Sequence, residues 1–70
     1  MKEYVSNKVI DLRKQRGVTQ EEFAQDIGVS RQTVVAIEKG NYVPSLLLGM
    51  KIARFFRKTV EQVFTYHNEK

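Results

Sequence analysis

The stretch Thr19–Asn41, TQEEFAQDIGVSRQTVVAIEKGN, constrains this chain more than any other. Thr19 with Glu22 three residues on is a capping box, in which hydroxyl and carboxylate satisfy each other's orphan backbone amides at a helix start. The turn Gly28-Val29-Ser30 ends that helix, and Ser30 can cap a second one running from Arg31 to about Lys39. Gly40 and Asn41 tolerate left-handed backbone and stop it. Phe23, Ala24, Ile27, Val29, Val34 and Ile37 are spaced to bury one side of both helices, which fixes the angle between them. The outer face of the second helix then carries Arg31, Gln32, Thr33, Val35 and Ala36. A short helix held proud of a small core, with hydrogen-bonding side chains at its N-terminal end, suits the DNA major groove.

The rest of the punctuation divides the chain into five helices. A helix from about Asn7 to Arg16 has Val9 and Leu12 on one face, Val5 one turn before, and Gly17 as its stop. Tyr42-Val43-Pro44 is extended, because the residue before proline avoids the helical region. Ser45 caps a helix from Leu46 to Phe56, with Leu48, Ile52, Phe55 and Phe56 as a broad apolar face. Thr59 with Gln62 is a second capping box, opening a short helix from Val60 to Phe64. Lys2–Val5 and Phe64–His67 hold β-branched or aromatic residues without a helical period, so both are candidate strands.

A chain of 70 residues makes one domain, 1–70, with a modest core. It has no cysteine and one histidine, which excludes a disulfide staple and a conventional zinc site, and no metal-ligating residues are singled out. Cysteine-free composition fits a reducing cytoplasm. Oligomerisation is the remaining staple for so small a core. No apolar run approaches the ~20 residues that span a bilayer, and Met1-Lys2-Glu3-Tyr4 opens no secretory signal. The net charge of +4 leans weakly towards an anionic partner. No nucleophile, base and orienting group share a recognisable spacing, so the chain does not read as an enzyme, and no cofactor box is present.

Taken in order, Leu12-Arg13, Gly17–Ala24, Gly28–Val34, Ile37–Gly40, Pro44–Leu46 and Val60–Phe64 resemble the Cro/C1-type helix-turn-helix family, also called the XRE family. The resemblance spans about Asn7 to Phe64 and is nearest to compact single-domain members of the cytolysin repressor type. It implies an all-α, five-helix lambda-repressor-like DNA-binding domain with a short β-ribbon from the two termini. It further implies a homodimeric regulator of transcription, a repressor more readily than an activator, with double-stranded DNA as partner. By position, Arg31, Gln32 and Ala36 match the family's base-contacting residues, with Thr33 and Val35 beside them. Arginine can bond guanine and glutamine adenine bidentately, which agrees. Gln20 matches a phosphate-clamping glutamine, and Lys39, Asn41 and Tyr42 a second phosphate-contacting region. Arg13 and Glu38 match a structural salt bridge that holds the recognition helix at its angle. Val63, Phe64 and Tyr66, with Tyr4 and Val5, are the expected dimer contacts.

Blander assignments apply elsewhere. Lys51, Arg54, Arg57 and Lys58 read as a solvated helix face, and His67 as an exposed tail residue. The chain also departs from the family pattern. Arg57 replaces a customary glycine at the end of the fourth helix, at a cost of about 1 kcal/mol if the backbone there is left-handed. Lys58 stands where a valine is common. Leu47 with Gly49 and Met50 marks an exposed contact patch. That patch, with the basic cluster, motivates a second class of function, a protein-interaction module such as an antitoxin.

Overall fold

Four of the five helices begin on a hydroxyl that accepts a hydrogen bond from the third backbone amide of the helix: Thr19, Ser30, Ser45 and Thr59. The computed structural model describes residues 2–69. Its elements run β1 (Lys2–Asn7), α1 (Val9–Gln15), α2 (Gln20–Ile27), α3 (Arg31–Glu38), α4 (Leu46–Phe55), α5 (Val60–Val63) and β2 (Phe64–Glu69). Both capping boxes close: the Thr19 amide donates to Glu22 at 2.9 Å and the Thr59 amide to Gln62 at 2.8 Å.

One device ends the first four helices. Two amides beyond each helix bond back to carbonyls of its last turn, around a residue in the left-handed region. For α2 the bonds are Gly28 to Gln25, 3.3 Å, and Val29 to Ala24, 3.0 Å. For α4 they are Arg57 to Arg54, 3.0 Å, and Lys58 to Ala53, 2.9 Å. The left-handed position is held by Gly17, Gly28 and Gly40 after α1, α2 and α3, but by Arg57, at φ 57°, after α4. The strain anticipated at Arg57 is therefore present.

All five helices contribute to one core. Phe23, Ile27, Ile37, Ile52, Val9, Val34 and Val63 are fully buried within it. Phe23 packs against Phe55 and Phe56 at ring-centroid distances of 5.0 and 5.2 Å. Arg16 lies over the Phe55 ring at 4.7 Å and donates to the Phe55 carbonyl, sealing the edge of this cluster.

The two terminal segments pair as an antiparallel ribbon, with Lys2 opposite Glu69 and Asn7 opposite Phe64. Each strand is two residues longer than the sequence suggested, and α1 starts at Val9 rather than Asn7. Asn7 explains the difference. Its backbone ends the ladder, while its side chain accepts from the Val9 amide at 3.1 Å and donates to the Ile37 carbonyl at 2.9 Å. It thus starts α1 from outside the helix and ties the ribbon to the end of α3. At the other end, Phe64 turns extended (φ −116°, ψ 139°), so α5 closes at Val63. His67 is not a tail residue: it sits half-buried in β2, stacked on Tyr4 at 4.5 Å and bonded to Ser6 at 2.8 Å. Gly49 is not part of a surface patch either; it is buried, facing Phe64.

Candidate nucleic-acid interface

Helix α3 is buried on one side only, through Val34 and Ile37. The other side presents Arg31 and Gln32 to solvent, with Thr33, Val35 and Ala36 half-buried beside them. Ser30 caps this helix through a 3.2 Å bond from the Thr33 amide, and its hydroxyl also lies 3.0 Å from the Thr33 hydroxyl. Thr33 is therefore partly committed to the cap, whereas Arg31 and Gln32 have no hydrogen-bond partner among the described residues.

The outward residues divide into two groups. Gln32, Thr33 and Ala36 line one side of a shallow cleft of about 280 Å³ whose other side is Tyr42. Arg31 and Val35 lie outside that cleft. Helix α3 and the loop after it thus form one continuous surface, polar at the N-terminal end and aromatic at the flank. Lys39, Asn41 and Tyr42 are exposed immediately beyond the helix. Their position places one cation and two neutral hydrogen-bonding groups where a groove-bound helix would meet backbone phosphates.

The angle of α3 is fixed by charge as well as by packing. Arg13 on α1 bonds Glu38 at the end of α3 through Nε–Oε2 at 2.8 Å, and its Nη1 donates to the Val18 carbonyl at 3.0 Å. The Glu38 side chain is 3% exposed. Gln20, the first residue of α2, donates to its other oxygen at 2.9 Å. A buried carboxylate is thus shared by three helices, with each oxygen occupied. The anticipated Arg13–Glu38 bridge forms, and the structure adds Gln20 as a third member. Gln20 was expected to face a phosphate; here its side-chain amide turns inward, so any phosphate contact falls to its remaining N–H or to the backbone. Asn7, which the sequence did not single out, bonds the same end of α3. An asparagine just before an apolar helix is the signal that would have found it.

The expected dimer residues separate. Val63 is completely buried in the core of its own chain and is removed from any contact surface. Phe64 packs half-buried against the core. Tyr66 and Tyr4 remain exposed at 62% and 42%. The register places Val5 opposite Tyr66 on one face of the ribbon and Tyr4 opposite His67 on the other. Tyr66 donates to Glu3 at 2.6 Å, which raises its phenol pKa above the ordinary value.

Comparisons with known proteins bear on this geometry. The family described as helix-turn-helix matches residues 9–63. An uncharacterized HTH-type transcriptional regulator of Bacillus subtilis, YgzD, is 51% identical over 65 residues, covering 93% of this chain and 98% of that protein. The cryptic phage CTXphi transcriptional repressor RstR, from Vibrio cholerae, is 45% identical over 51 residues, covering 73% of this chain and 46% of the repressor. Among solved structures, the transcriptional regulator VanUg aligns at a TM-score of 0.75 over 99% of this chain and 92% of its own, with 21% identity. That last likeness is one of fold alone.

Proposed function

The chain belongs to the helix-turn-helix family of transcriptional regulators, of the Cro/C1 type, and from that premise we propose that it is a repressor that binds an inverted-repeat operator as a homodimer. The observation that carries this reading is the α3 surface. Arg31 and Gln32 project from a helix whose opposite side is locked by Val34, Ile37 and the Glu38 network. Arg31 reads guanine, Gln32 reads adenine, and Val35 or Ala36 meets a thymine methyl. Lys39, Asn41, Tyr42 and the N-terminal turn of α2 at Gln20 hold phosphates and set register, which carries no sequence information itself. The repressor RstR, similar over part of its length, favours repression over activation. Occlusion of a promoter is the simplest mechanism, acting in the cytoplasm.

Two copies related by a two-fold axis would set their α3 helices into successive major grooves, about 34 Å apart. The exposed faces of the ribbon supply the contact, through Tyr4, Tyr66, Val5 and the outer edge of Phe64. Each strand of the ribbon has one partner strand among the described residues, so each leaves an edge open for pairing across the dyad.

Selection of bound duplexes from a randomised DNA library, at near-physiological salt, tests the reading. Recovery of an inverted repeat with half-sites one turn apart is expected. Absence of any enriched sequence, with the protein folded, would overturn it.

A further inference from the structure

The outer face of α4 and the start of α5 enclose a groove of about 790 Å³ that plays no part in the surface described above. No residue of α3 lines it. Its apolar lining is Leu47, Met50, Ala53 and Val60, of which Leu47 and Met50 are 71% and 55% exposed. These last two side chains do nothing for the core, because α4 meets the core through Leu48, Gly49, Ile52 and Ala53. The rim is cationic: Lys51, Arg54, Arg57 and Lys58 line the groove, and no aspartate or glutamate does. None of the four forms an ion pair among the described residues. Arg57 reaches the rim from a left-handed backbone position that glycine holds after α1, α2 and α3. That position costs about 1 kcal/mol for a residue with a Cβ. The groove thus combines uncovered apolar surface, unpaired charge of one sign and local backbone strain.

We propose that this groove docks a short acidic amphipathic segment of a protein partner. Apolar side chains at helical spacing would cover Leu47 and Met50, and flanking carboxylates would meet the four cations. A second copy of the chain fits poorly, because a two-fold interface presents a patch to itself and would set four cations against four. Nucleic acid fits poorly as well, because a phosphate backbone leaves Leu47 and Met50 uncovered. Since the groove lies off α3, partner and operator can be held together, and the inference does not rest on the DNA-binding reading.

The test uses the full chain, labelled with ¹⁵N. It is titrated with a synthetic peptide carrying leucine at i, i+3, i+4 and i+7 and glutamate between, and with a scrambled peptide of the same composition. Saturable amide shifts confined to the segment from Leu47 to Gln62 are expected, with the scrambled peptide about tenfold weaker or more. Met50→Glu and, separately, Arg54→Glu should each weaken the ordered peptide about tenfold or more while the remaining spectrum and DNA binding stay unchanged. Five outcomes overturn the proposal: no shifts, shifts centred elsewhere, equal response to the scrambled peptide, groove shifts produced by duplex DNA, or groove shifts produced by protein concentration alone. The last two would reassign the groove to nucleic acid or to self-association.

Discussion

Gln20 and Glu38 meet at 2.9 Å, joining the first residue of α2 to the end of α3 over the carboxylate that Arg13 also holds. Helix α3 is therefore oriented from two neighbouring helices at once. Removing Arg13 leaves a nearly fully buried carboxylate with one neutral donor. Arg13→Ala should destabilise the fold by about 3–5 kcal/mol, a large share of what so small a domain possesses. Gln20→Ala removes one charge-assisted bond and should cost about 1.5–3 kcal/mol. Urea unfolding of both variants checks the order. A loss at Arg13 no larger than that at Gln20 would show that the ion pair holds α3 no more firmly than the neutral donor does.

Arg57 is the one left-handed residue with a side chain among the described residues. Arg57→Gly relieves that strain and should stabilise the protein by about 1 kcal/mol. In a domain of this size that raises the melting temperature by roughly 4–8 °C. A lower melting temperature would mean that the Arg57 side chain supports the α4–α5 corner.

Glu22 is held below the ordinary glutamate pKa by hydrogen bonds from Thr19, the backbone amide foremost. A depressed folded value means that its stabilising effect is present above the unfolded pKa and is lost as pH falls through the folded one. Acidification should therefore loosen the start of α2 in the lower carboxylate range. Carbon-detected NMR titration of the Glu22 carboxyl gives the value directly. Glu22→Gln should keep the cap and remove its pH dependence; an unshifted Glu22 would contradict the capping box in solution.

Tyr66 behaves oppositely. Its bond to Glu3 raises the phenol pKa, so the stabilisation is present below the unfolded value and is lost as pH rises through the folded one. Glu3→Gln should return Tyr66 towards its ordinary range in an ultraviolet titration of the phenolate. No change on substitution would mean that the two side chains do not meet across the ribbon.

Much of this was legible in the sequence because it is local. Thr19 with Glu22, Thr59 with Gln62, and the two serine caps declare their helices within four residues, and the apolar period of α2 and α3 sets their shared core. What escaped was long-range. Asn7 serves the ribbon, α1 and α3 together, and only folding brings its partners near. Gln20 carried a motif pointing to phosphate, yet lies beside a carboxylate that is eighteen residues away in sequence. His67 looked solvated until β1 paired with β2 and set Tyr4 against it. Val63 appeared available for a dimer because a four-residue helix shows too little periodicity to reveal its buried side.

The central claim is that α3 reads bases through Arg31. The most direct measurement compares wild type and Arg31→Ala on the selected site with each of the four base pairs at the contacted position. Loss of about 1–3 kcal/mol on the preferred pair, with discrimination at that position abolished and kept elsewhere, is the predicted result. Equal weakening on all four base pairs would contradict it and reduce Arg31 to a phosphate contact.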